Sequence, residues 1–150
     1  MAQLRPTLFA LVALSALACD GGDGDDPLPA VEHCGAIAAD EVWVAGLHTL
    51  TCDVHVNGGA HLTVEAGATL ELAEDASLNA GCEGTVGSIA VEGRAVASVL
   101  LTSATGTTDT WNYLRFCADA DGARNALRSV EVEHAGRYDN LTARSGVIVV

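Results

Sequence analysis

Three consecutive eight-residue units decide the fold: Gly59–Ala66 (GAHLTVEA), Gly67–Glu74 (GATLELAE) and Asp75–Cys82 (DASLNAGC). A fourth unit, Thr51–Gly58 (TCDVHVNG), precedes them with the same apolar spacing. Each holds two apolar residues two apart: Val54 and Val56, Leu62 and Val64, Leu70 and Leu72, Leu78 and Ala80. Residues two apart on a strand share a face, whereas on a helix they diverge. Asp53 and His55, His61 and Thr63, Thr69 and Glu71, and Ser77 and Asn79 alternate with them and are expected to face water. Each unit therefore reads as a short strand closed by a Gly, Ala or Asp corner.

Such a short unit cannot bury its apolar face alone, so it must stack on copies of itself. Asn57-Gly58 is the only pair suited to a two-residue hairpin turn. Coiling in one direction fits better. Three units would make a coil of about 24 residues, with coils about 4.8 Å apart. That places Val54 below Leu78 and His55 below Asn79. The two-apart pattern continues at Ile89 and Val91, Val99 and Leu101, Leu114 and Phe116, Val130 and Val132, and Val147 and Val149.

The order GAHLTVEAGATLEL, SIAVEGRA (88–95), VLLTS (99–103), WNYLRF (111–116) and VEVEHAG (130–136) resembles bacterial right-handed parallel β-helix repeat proteins. The resemblance covers about residues 42 to 136. It implies an all-β, right-handed parallel β-helix of about four to five coils. Many such proteins look like surface lipoproteins. The terminal Gly146–Val150 (GVIVV) looks like the start of another coil with no cap over it. The expectation is a piece of a longer protein; the alternative is a partner strand paired at Val150.

The N-terminus reads as an address. One positive charge lies in Met1–Arg5, an almost wholly apolar run follows in Thr7–Leu17, and small residues stand at Ala16 and Ala18. That is the order of a secretory signal, and the apolar run is too short to span a bilayer. Ser15-Ala16-Leu17-Ala18-Cys19 resembles the lipobox of bacterial lipoproteins, though Ala16 stands where Leu is commonest. The resemblance implies cleavage before Cys19 and acylation of its sulfur and amino group. Asp20–Pro29 (DGGDGDDPLP) is a Gly-rich, self-repelling leash. The chain divides into a signal (1–18), a tether (19–31) and a β-helix domain (32–150). Asp20 also resembles an inner-membrane retention signal of enteric bacteria, a rule other lineages do not follow.

Export makes disulfides plausible. Four cysteines remain after Cys19: Cys34, Cys52, Cys82 and Cys117. Three pairings are possible, and the nearest-neighbour one joins Cys34 to Cys52 and Cys82 to Cys117. No C-x2-C spacing supports a zinc site.

The composition excludes several classes. The formal charge of -13 repels a phosphate backbone, and 4% aromatic residues leave little to stack on bases. All seven basic residues are Arg, so Schiff-base, P-loop and Ser-Lys chemistry is out. His48, His55 and His61 read as solvated surface histidines, and His134 as packing at a core edge or bonding a backbone carbonyl there. Asp119 and Asp121 give only two acids at calcium-ligand spacing, so a polar loop is expected. Glu131 and Glu133 sit about 7 Å apart along one strand. That spacing suits glycosidase carboxylates and equally a solvated strand, with Arg124 and Arg128 as surface ion-pair partners. Asn140-Leu-Thr142 is a glycosylation sequon in form only.

No catalytic residue, metal ligand or cofactor emerges, and no G-x-S-x-G elbow is present. The expected function is a non-catalytic scaffold, lipid-anchored in the cell envelope and facing the periplasm or cell surface. Its partners are the membrane and a glycan or envelope protein, not nucleic acid. The alternative is the N-terminal part of a carbohydrate-active β-helix enzyme, a polysaccharide lyase or hydrolase. A truncated gene product without function is the third reading.

Overall fold

The computed structural model describes residues 29–107, 111–135 and 148–149. The predicted signal, Cys19, most of the tether, Val147 and the sequon at Asn140 lie outside these residues. The described chain is all-β, and its named strands pair in parallel. In chain order they are β1 (Val31–Ile37), β2 (Glu41–Trp43), β3 (Gly46–Val56), β4 (His61–Glu65), β5 (Ala68–Leu72) and β6 (Leu78–Ala80). β7 (Ser88–Glu92), β8 (Val99–Ser103), β9 (Leu114–Phe116), β10 (Ala126–Arg128), β11 (Val130–Val132) and β12 (Ile148–Val149) follow. β1 begins at Val31, the last residue of the expected tether.

Two sheets form. The larger runs β11-β8-β5-β3-β6-β9-β12, with β1 beside β3, and the smaller runs β10-β7-β4-β2. β3 is long enough to serve two ladders. Its first half pairs with β5 and its second with β6, so strands adjacent in sequence rarely pair with each other. Asn57-Gly58 accordingly makes no hairpin: β3 and β4 stand in different sheets.

The expected register is met. Val54 pairs with Leu78 and His55 with Asn79, 24 residues apart. The spacing is not kept. Leu70 pairs with Leu101, 31 residues on, and Leu78 pairs with Leu114, 36 residues on. The extra residues go into connections, where they leave the ladder register intact. One connection runs from Gly81 to Gly87 and needs close backbone approach. A side chain on Gly87 would strike the Val56 carbonyl, and one on Gly81 would strike Ala120.

The apolar pairs fill the interior. Leu62, Val64, Leu70, Leu72, Leu78, Ile89, Val91, Val99, Leu101 and Leu114 are fully buried. Burying each large aliphatic side chain contributes about 1.5–3 kcal/mol. Trp111 is buried too, and its indole N–H donates to the Glu133 carbonyl at 3.0 Å. The pattern weakens at Val130 and Val132, where Val132 keeps 36% of its surface exposed. Ser77 and Asn79, expected to face water, are only 5% and 6% exposed. They sit between lateral neighbours in the ladder, Asn79 between His55 and Arg115 and Ser77 between Asp53 and Tyr113.

Candidate functional site

Three adjacent strand segments build a polar array on the outer face of the larger sheet. β3, β6 and β9 lie side by side with His55, Asn79 and Arg115 in register. Two residues earlier on each, Asp53, Ser77 and Tyr113 form a second row, tied by Val54 N–H to the Ser77 carbonyl at 2.8 Å and Leu78 N–H to the Tyr113 carbonyl at 2.9 Å. Strand geometry spaces the rows about 6.7 Å apart and the columns about 4.8 Å apart. These six side chains share a face because the alternate ones, Val54, Leu78 and Leu114, are buried inside.

The array lines an open groove of about 410 Å³, flanked by Glu83, Asn112 and the Cys82–Cys117 pair. Asp53 holds its place by accepting the Ser77 N–H at 2.7 Å. Asn112 donates its amide to the Asp75 carbonyl. The His55 Nδ1 is buried and has no hydrogen-bond partner. The groove thus offers amide, hydroxyl, imidazole, guanidinium and carboxylate groups together, which suits a ligand that both donates and accepts hydrogen bonds.

The cysteines stand in the nearest-neighbour pairing, with sulfurs at bonding distance in Cys34–Cys52 and Cys82–Cys117. The first joins β1 to β3 across an irregularity. His33 pairs with Leu50 but Gly35 with Val54, so three residues of β3 oppose Cys34 alone. The bond staples that bulge. The second ties the Gly81–Gly87 connection to the end of β9, where Cys117 N–H also donates to the Ala80 carbonyl.

The histidines depart from expectation. His48 is not solvated but 4% exposed, at an inward position whose ladder neighbour is Leu70. It stacks with Trp43 and His33, at ring centroid distances of 5.4 and 5.2 Å, and His33 stacks on Trp43 at 3.9 Å. His55 is half-buried in the groove. His61 is also half-buried, its Nδ1 hydrogen-bonded to the Ser88 hydroxyl at 2.7 Å. His134 bonds the Thr102 hydroxyl at 3.1 Å rather than a carbonyl.

The arginines choose other partners than expected. Arg128 pairs with Glu92 at 3.1 Å, because β10 lies beside β7, and Arg124 pairs with Asp40 at 3.5 Å. Glu131 instead accepts the Ser98 hydroxyl at 2.7 Å. Asp121 caps its own loop, accepting the Ala123 N–H at 3.1 Å. Among the described residues no three His, Cys, Asp or Glu side chains gather for a metal.

Sequence reasoning missed Tyr113, Arg115 and His33. Tyr113 and Arg115 flank Leu114 in the two-apart pattern, a signal that was available. No protein-family model, curated protein or solved structure matches the chain.

Proposed function

We propose that this chain is a lipid-anchored envelope protein. Its body is a right-handed parallel β-helix of four to five coils, serving as a non-catalytic scaffold that binds a glycan in the β3–β6–β9 groove. The single observation that carries the binding reading is the two-row array of Asp53, Ser77, Tyr113, His55, Asn79 and Arg115 in ladder register. Hydrogen-bonding side chains repeated at strand spacing suit an extended chain of hydroxyl-bearing rings. Tyr113 adds an amphipathic ring for a sugar face. The mixed signs of Arg115, Asp53 and Glu83 favour a polar ligand over an apolar peptide.

The coiled reading is supported by the ladders. β2, β4, β7 and β10 recur in one sheet while β3, β5, β8 and β11 recur in the other, each return being parallel. Parallel pairing requires a crossover between partners, and the other ladders' strands supply it. The exported address rests on the signal order and Cys19, and the two disulfides are compatible with an oxidising compartment.

The test is co-sedimentation of the full chain with peptidoglycan sacculi and insoluble cell-surface polysaccharide. Retention that falls at least tenfold in Asn79→Ala and Arg115→Ala supports the reading. Equal retention of variants and wild type removes the groove from it, and release of soluble sugars would make the protein an enzyme.

A further inference from the structure

The interior of the solenoid-like body changes chemistry at its first layer. At inward positions, His48 precedes Leu70 and Leu101 in one ladder, and His33 precedes Leu50 and Leu72. Trp43 precedes Val64 and Val91 in the other sheet. Where later layers hold aliphatic side chains, the first holds two imidazoles and an indole, packed face to face.

Their hydrogen bonds fix the protons. The Val44 carbonyl can only accept, so His48 donates to it from Nε2 at 2.8 Å. Neutral His48 then has Nδ1 as an acceptor. His33 must donate to it from Nε2 at 2.9 Å, which leaves the His33 Nδ1 without a hydrogen. The Trp43 indole N–H donates to the Glu41 carboxylate at 3.1 Å.

We propose that the His33–Trp43–His48 stack is an acid-sensitive lock on the first layer of the fold, which tolerates one proton and opens on the second. The first proton goes to the His33 Nδ1. Every hydrogen bond survives, because one nitrogen of the facing pair still lacks a hydrogen. The second must go to the His48 Nδ1. Both facing nitrogens then carry hydrogens, and two cations stack against each other with His48 buried. The bond breaks, and the corner held by His48 to Val44 is released.

The surroundings favour neutral His33. Burial first, and then the neighbouring His48, depress the pKa of His33, while Glu41 works in the opposite direction. The charged or titratable groups facing the stack are His33 on β1, Glu41 on β2 and His48 on β3. The layer beneath, Leu50, Val64 and Leu70, is apolar and supplies no counter-charge. The Cys34–Cys52 bond keeps β1 attached after opening, so the change is local.

The experiment is a titration of the full chain from pH 7.5 to 4.5 by two-dimensional NMR of the imidazoles and indoles. The His33 and His48 imidazole signals should change as a coupled pair in two successive steps rather than along independent curves. The Trp43 indole N–H signal should move with the second step and the Trp111 signal should not. His48→Leu, which continues the Leu70 and Leu101 ladder, should stay folded and lose the Trp43 step. His33→Gln should abolish the coupling and leave a single His48 step. Two independent, unshifted histidine curves, or a Trp43 signal unchanged to pH 4.5 in wild type, would overturn the proposal. So would a Trp43 step that persists in His48→Leu.

Discussion

Removing the Cys82–Cys117 bond by replacing both cysteines with Ala should destabilise the protein by about 3.8 kcal/mol. The bond closes a loop of 35 residues, and the chain-entropy relation converts that length into the lost constraint on the unfolded chain. The Cys34–Cys52 loop of 18 residues gives about 3.2 kcal/mol by the same relation. Either loss is a large part of the 5–15 kcal/mol that holds a typical domain together. Urea unfolding followed by circular dichroism measures both. With a slope of about 2 kcal/mol per molar, each midpoint should fall by about 1.5–2 M. The two variants should differ in character as well as size. Cys34–Cys52 staples only the edge strand β1, so part of its loss should appear as early fraying of that strand. Cys82–Cys117 anchors a connection between central rungs, so its loss should move the whole transition. Midpoints within 0.3 M of wild type in both variants, a shift of roughly 0.6 kcal/mol on the same slope, would refute the reasoning.

Three further outcomes are expected. Leu78→Ala should lose about 2–5 kcal/mol in the same urea assay, since Leu78 is fully buried between Val54 and Leu114 and its removal leaves a cavity. Gly87→Ala should lose about 1–3 kcal/mol, because its new methyl meets the Val56 carbonyl, which is fixed in a ladder; a neutral result would mean the connection is loose. Stability should also fall on mild acidification. The pKa of His33 is lower in the fold than its ordinary 6.5, mainly through burial, so the unfolded chain binds more protons. Its contribution is therefore complete above about pH 6.5 and is lost as the pH falls through that value toward the folded one. Urea midpoints at pH 7.5 and 5.5 check this, and His33→Gln should flatten the difference.

Much of the fold was legible because burial writes a period of two into the strands. Leu62 and Val64, or Leu70 and Leu72, announce an inner face, and the equal spacing of the units foretold Val54 against Leu78. The sequence distance between paired strands was not legible downstream, because a connection such as Gly81–Gly87 lengthens without disturbing the ladder on either side. Ser77 and Asn79 looked solvent-facing by alternation alone. Alternation tells which face a side chain takes but not how deeply neighbouring strands shade it. His48 was misjudged for a related reason. Polarity suggested water, yet the two-apart series from His48 to Leu50 places it inside, and only the stack with Trp43 and His33 makes an imidazole acceptable there. The Arg128 partner depended on β10 lying beside β7, a long-range neighbour that local spacing does not encode.

The most direct test of the account is measurement of scalar couplings across hydrogen bonds by NMR on uniformly labelled protein. The account predicts coupling from the Val54 amide nitrogen to the Ser77 carbonyl, and from the Leu78 nitrogen to the Tyr113 carbonyl, the two bonds that set the groove in register. Couplings joining β4 to β5, or β5 to β6, in an antiparallel pattern would mean consecutive strands form hairpins. That result would contradict the parallel ladder and dissolve the groove built on it.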